Sequence, residues 1–158
     1  MLSFLVFGIT RKTKEKALME EQISKLPSFS FVMLDNTVYN SDNIKEGPVL
    51  IVRFHPECEH CQYEISELLK SKIPDSGIKV LLISDAERNI VISFLNQFNI
   101  SEKQKIIPLL DTAFVFGEIF GKDIVPSTYI YNKDLELVEV LPGEYKIETI
   151  LSYLEEGE

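Results

Sequence analysis

The sequence predicts one α/β domain, and three observations carry that prediction. Two short β-branched apolar runs, VLIVRF at 49–54 and KVLLIS at 79–84, are each followed by a segment of helical period. Hairpin patterns lie before and after this alternation. The length of 158 residues suits a single domain, which on the usual surface scaling buries roughly 70% of its unfolded surface. Hydrophobic residues at 45% and charged residues at 26%, with 7 Gly and 7 Pro, exclude a disordered chain, a collagen or a low-complexity tail. Lys plus Arg number 16 against 25 Asp plus Glu, a formal net charge of −9. Phosphate binding needs clustered cations, so the balance disfavours nucleic acid and equally an anionic membrane surface.

The chain divides at residue 27 into an N-terminal lead-in and a domain over 28–158. The opening run LSFLVFGI, Leu2 to Ile9, spans only roughly 12 Å as a helix, against the 20 or so residues that cross a bilayer. Arg11, Lys12, Lys14 and Lys16 follow it and no basic segment precedes it, so it does not form a complete secretory signal. Two readings stand: the end of a membrane anchor, which would place the domain in the cell envelope, or a short apolar segment packed on the domain. Basic residues after an anchor favour the cytoplasmic side, so the compartment stays open between envelope and cytoplasm. Residues 11–26, charged and free of Gly and Pro, carry Met19, Ile23 and Leu26 at helical spacing and predict a lead-in helix ending near Pro27.

The elements of the domain follow in order. Phe29, Phe31 and Met33 alternate, and Asp35-Asn36 precedes Val38 and Tyr39, a strand-turn-strand hairpin. VLIVRF, bounded by Gly47-Pro48 and Pro56, reads as a central strand buried on both faces. From Cys58 the period changes: Cys61, Ile65, Leu68 and Leu69 make one helix face that stops before Pro74. KVLLIS is a second buried strand, and Ser84 with Glu87 predicts a capping box opening a helix whose Val91, Phe94, Leu95 and Phe98 face the core. Ile106 to Leu110 reads as a short strand pushed toward an edge by Pro108, and Ala113 to Phe120 as a short helix ending at Gly121. Pro126 opens a strand pair, Ser127 to Tyr131 and Leu135 to Leu141, turned at Asn132-Lys133-Asp134. Ile147, Ile150, Leu151 and Leu154 form the apolar face of a closing helix.

The chemistry lies in HPECEHCQYE. Two cysteines are too few for a stapled scaffold, and Cys58 and Cys61 are spaced as a reversible dithiol at the start of a helix that follows a strand. Backbone N–H groups at such a helix end stabilise a thiolate, lowering thiols from about 8.5 into the range of roughly 3.5 to 7.5. Cys58 is the predicted nucleophile and Cys61 the resolving thiol, ending as a Cys58–Cys61 disulfide. A cationic His60 between them would favour the thiolate, whereas Glu57 and Glu59 oppose it; the alternative for His60 is an exposed turn residue. Glu64, near one turn beyond Cys61, either exchanges a proton with the sulfurs or is a solvated helix side chain.

These residues carry a resemblance. VLIVRF, then CEHC, then a helix, and later Val125-Pro126 before a strand pair and final helix, resemble the thioredoxin-like fold. More narrowly they resemble the TlpA/ResA-like thiol-disulfide oxidoreductases, near the alkyl-hydroperoxide-reductase/thiol-antioxidant redoxin group. The likeness covers roughly residues 28–156. It implies a central mixed β-sheet flanked by helices, the early hairpin, and a βα insertion matched by IIPLL and TAFVFGEIF. It also implies a catalytic glutamate three residues past the second cysteine, Glu64, and a cis-proline at Pro126 that presents the Val125 backbone to an extended substrate, with Ser127 following. The family usually has Trp before the first cysteine and often Pro inside the pair; this chain has Glu57, no Trp, and Glu59-His60. Val52 stands six before Cys58, where thioredoxin carries a buried acid, and Glu64 is its candidate substitute.

Other readings weigh less. His55, Cys58, His60 and Cys61 are metal-ligand types, but four ligands in seven residues at a helix start converge poorly, so no metal is expected. A thiol peroxidase of the peroxiredoxin kind would need Thr or Ser where His55 stands and Pro where Ile51 stands. A redox-inactive binding module with an inert cysteine pair is the non-enzymatic alternative. The reading adopted is a monomeric thiol-disulfide oxidoreductase that needs no dissociable cofactor, takes protein disulfides or dithiols as substrates, and is recharged by an upstream dithiol reductant.

Overall fold

The structure, a computed structural model, describes residues 2–98, 100 and 105–157, with the backbone course alone for residues 2–11. Whether the side chains of Leu2 to Ile9 pack on the domain therefore lies outside the described residues. In chain order the elements are α1 (Leu2–Ile23), β1 (Ser30–Met33), β2 (Val38–Asn40), β3 (Val49–Arg53), α2 (Glu59–Lys70), β4 (Lys79–Ser84), α3 (Arg88–Leu95), β5 (Ile106–Leu110), α4 (Phe116–Phe120), β6 (Ser127–Tyr131), β7 (Leu137–Pro142) and α5 (Ile147–Glu156). No helix among the described residues is long and apolar enough to cross a membrane.

The strands form one seven-stranded sheet in the order β2-β1-β5-β4-β3-β6-β7. β3, β4 and β5 run parallel, as crossover connections through α2 and α3 require, and the hairpins at either side pair antiparallel. All five side chains of β3 are buried, which fixes its interior place between β4 and β6. One face of the sheet packs Leu50, Val52 and Leu82 against Cys61, Ile65 and Leu68 of α2 and Ile150 and Leu154 of α5. The other packs Ile51, Leu81, Tyr129 and Tyr131 against Phe116 and Phe120 of α4 and Ile23 of α1.

Four expectations change. The lead-in helix is continuous from Leu2 and stops at Ile23, because Ser24 and Leu26 are drawn out beside the β6–β7 hairpin: Leu137 N–H donates to Ser24 O and Leu26 N–H to Leu135 O, both at 2.9 Å. Pro108 does not put β5 at an edge; the strand lies between β1 and β4. Val80 N–H bonds Lys105 O and Asp111 N–H bonds Ser84 O, so the odd residues of β5 face β4 and the Pro108 nitrogen faces the β1 side. There β1 pairs only with Leu109 and Leu110, and the ladder loses no bond at Pro108. Ser84 and Glu87 make no capping box: Ser84 ends β4, its Oγ accepts from Ala86 N–H at 3.2 Å, and Glu87 precedes α3 without a side-chain cap. The helix expected from Ala113 begins only at Phe116, where the buried Asp111 carboxylate caps it, accepting from Val115 N–H at 3.0 Å and Phe116 N–H at 2.9 Å. It ends as expected at Gly121, which adopts φ 93°.

Asp111→Ala removes both caps and leaves two N–H groups unpaired, so it is expected to cost about 1–3 kcal/mol. Denaturant unfolding checks this, and a loss within a few tenths of a kcal/mol would remove Asp111 as the organiser of α4.

Candidate functional site

β3 delivers the chain to the site. Phe54 N–H still bonds Ile83 O at 3.0 Å, and a tight turn then folds Cys58 N–H onto His55 O at 3.1 Å. Cys58 is the N-cap of α2: its backbone is extended (φ −86°, ψ 116°) and its Sγ accepts the Cys61 N–H at 3.3 Å. A sulfur therefore occupies the place where a Ser or Asp oxygen ordinarily satisfies a free helix N–H. Cys58 is half-buried and Cys61 fully buried, both as free thiols. Burial raises the Cys61 thiol, and the Cys58 sulfur and the Glu64 carboxylate add to the rise.

Glu64 is 2% exposed, inside the apolar face of α2. Its carboxylate is held at both oxygens: Thr128 Oγ1 donates to Oε1 at 2.9 Å and Tyr145 N–H to Oε2 at 2.8 Å. Burial raises it above the ordinary carboxylate value; the two donors pull it back only in part, and Glu144 raises it further. The solvated-helix alternative for Glu64 does not hold, because the face that carries Cys61, Ile65 and Leu68 also carries it into the interior.

The structure places the other site candidates differently from one another. The Val125–Pro126 peptide is cis, Val125 is 37% exposed, and Pro126 O accepts from Gly143 N–H at 2.9 Å. Thr128, next but one after Pro126, reaches Glu64, so the start of β6 lies over the first turns of α2. Ser127 points to the opposite face of the sheet. Its hydroxyl is buried and lines a cavity of about 470 Å³ under α1, with Met19, Phe120 and Tyr129. His60 is exposed, and its Nδ1 lies 2.6 Å from Glu144 Oε2.

Sequence reasoning missed two contributors, the loop before α5 and Arg53. Residues 143–146, between β7 and α5, join the site at three points: Gly143 on Pro126, Glu144 on His60, Tyr145 on Glu64. Arg53, 1% exposed, bonds Asp123 Oδ1 at 2.6 Å and Asp85 Oδ2 at 3.0 Å and lies 5.3 Å from the Phe116 ring centroid. Burial alone would lower the guanidinium, but the two carboxylates outweigh it and hold it above its ordinary value. This ties the end of β3 to the loop that leads into Val125-Pro126. The one signal for it in the sequence is a cation closing an otherwise apolar strand, which demands buried acids nearby.

No family model and no curated protein matches the chain, whereas solved structures do. The dsbF protein of MTB superposes with a TM-score of 0.72 at 15% identity, over 87% of this chain and 97% of that one. A secreted Mycobacterium tuberculosis disulfide oxidoreductase homologous to E. coli DsbE gives 0.70 at 14% identity, over 87% and 98%. The exposed lipoprotein thioredoxin Etrx1 of Streptococcus pneumoniae gives 0.66 at 18% identity, over 82% and 98%. The fold is thioredoxin-like, with the mixed sheet and flanking helices that the sequence predicts.

The raised Glu64 fixes the sign of a pH effect. A carboxylate with a folded value above its ordinary 4.5 stabilises the fold fully below that value and loses the contribution as pH rises through the raised one. Glu64→Gln, which can still accept from Tyr145 and pair with Thr128, is expected to hold its stability across that window while the wild type falls. Denaturant midpoints of both proteins from pH 4 to pH 8 measure this; parallel curves would contradict a raised Glu64.

Proposed function

We propose that this chain is a thiol-disulfide oxidoreductase that exchanges disulfides with other proteins through Cys58 and Cys61. The observation that carries the reading is the Cys58 sulfur seated as the cap of α2 with a peptide N–H on it. The thioredoxin-like fold, shared with proteins described as a disulfide oxidoreductase and a thioredoxin, supports it.

The Cys58 thiolate attacks one sulfur of a partner disulfide; that S–S bond breaks, and the departing thiolate takes up a proton. The Cys61 thiol, raised by burial, then needs a base. Glu64, itself raised and one helical turn away, accepts that proton. Cys61 attacks Cys58 and releases the partner's second sulfur, so the partner gains two electrons and two protons and the protein ends as the Cys58–Cys61 disulfide. An upstream dithiol protein reverses this. Half-exposed Val125, beside Pro126, supplies the backbone edge against which an extended substrate lies. His60, engaged by Glu144, tunes the turn between the sulfurs. The same resemblance, with neighbours described as secreted and as an exposed lipoprotein, supports a place in the cell envelope, tethered through the N-terminal apolar run.

Insulin reduction with dithiothreitol as electron source tests the reading. Cys58→Ser is expected to fall to the uncatalysed rate. Cys61→Ser is expected to accumulate mixed disulfides that non-reducing gels show and Cys58→Ser lacks. Activity that survives in Cys58→Ser would sink the assignment.

A further inference from the structure

α1 is clamped to the domain in one direction. Met19 lies so close over Gly121 that a Cβ there would sit 2.4 Å from Met19 Cγ. Gln22 Nε2 donates to Glu118 O at 3.1 Å and Ile119 O at 2.7 Å, and the Tyr131 hydroxyl donates to Ile23 O at 3.2 Å. Ile23 thus lies at the end of β6 that pairs with Val49, and the turns of α1 before it, with Glu15, Lys16 and Met19, line one cavity that reaches Ile124 and Ser127, at the end of β6 that pairs with Arg53 and leads to Cys58. Followed back from Ile23, α1 climbs toward the dithiol edge of the sheet.

The helix is unbroken to Leu2. At 1.5 Å per residue Ile9 lies roughly 9 Å, and Leu2 roughly 20 Å, further along the axis than Glu15. The run LSFLVFGI is carried beyond the edge where Cys58 sits. Arg11, Lys12 and Lys14 follow the run, a position from which cations are drawn to anionic lipid headgroups, while Lys16 pairs with Glu20 at 3.6 Å. The chain's net charge of −9 argues against such a surface only if charge is spread evenly, and Arg11, Lys12 and Lys14 stand within four residues next to the run with no acid among them.

We infer that α1 seats this run in a bilayer bearing anionic headgroups and holds the domain with its dithiol edge toward the lipid, so that the disulfides it meets are those presented at the membrane surface. The inference rests on the disulfide exchange and the N-terminal tether proposed above. Exposed Glu57 and Glu59, flanking Cys58, repel the headgroups and keep a gap that a partner's segment fills.

The full chain is tested on vesicles of phosphatidylcholine with phosphatidylglycerol and a lipid carrying a headgroup nitroxide. One version, Cys61→Ser, carries a fluorophore on Cys58. The other, Cys58→Ser with Cys61→Ser and Lys133→Cys, carries it at position 133 in the β6–β7 turn, whose carbonyl bonds Gly47 N–H at the opposite edge. Both are expected to sediment with the vesicles; the Cys58 label loses most of its emission and the label at 133 keeps it. Adding Gln22→Ala loosens the clamp and is expected to narrow that difference while sedimentation persists. Equal quenching, or stronger quenching at 133, overturns the orientation with the tether intact, and protein left in the supernatant overturns tether and orientation together. Insulin reduction by the wild type, read separately, isolates failure of the exchange activity from failure of the orientation.

Discussion

A strand with every side chain sealed from water must be covered on both faces, and in this chain that strand is β3. The requirement calls α2 and α5 to one face and α1 and α4 to the other. It also forces the chain, on leaving β3, to turn sharply into a helix lying back across the sheet. The start of that helix is then the first place where peptide N–H groups lack partners, and Cys58 stands there. The seat of Cys58 follows from how the core is closed.

Burial sets the rest of the chemistry. Cys61 and Glu64 sit on the face of α2 that the sheet covers, and both are pushed toward their neutral forms. A buried carboxylate persists only with donors on it, and here they come from β6 and from the loop before α5. That loop also holds Pro126 and His60, so the acid, the proline and the turn between the sulfurs share one support. Arg53 performs a similar task at the other side of the strand end, where its two carboxylate partners come from separate loops. The fold accepts the cost of an ion cluster and a buried acid at the place where a precise arrangement of loops is needed.

Whatever depended on period and spacing was legible in the sequence. VLIVRF, KVLLIS, the Cys61-Ile65-Leu68 face and the closing helix all lie where their patterns put them. Local rules failed where a distant partner decided the outcome. Pro108 marks an edge only if its nitrogen faces a neighbouring strand's carbonyls, and the shortness of the β1 pairing, set far back in the chain, removes that condition. Ser84 and Glu87 have capping-box spacing, but the register of β4 against β5 keeps Ser84 in the strand. Glu144, Tyr145 and Asp123 reach their partners across 84, 81 and 70 residues, separations at which one sequence carries no pairing signal. Ser127 was legible as a neighbour of Pro126 but not as a side chain on the far face, since that follows from the alternation beginning at β6.

The same placement bears on how the cysteine pair is poised. From the sequence, His60 and the glutamates around Cys58 pull in opposite directions. In the fold the imidazole Nδ1 is engaged by Glu144, so any positive charge on the ring is shared with a carboxylate before it reaches the sulfur. Directly on Cys58 lie the peptide N–H of Cys61 and the Cys61 thiol, with the helix end behind them. A donor supplied by the backbone keeps its place whatever side chain stands between the cysteines, because it is fixed by α2 itself. The dipeptide Glu59-His60 and the 143–146 loop then surround a sulfur whose seat the helix has already set.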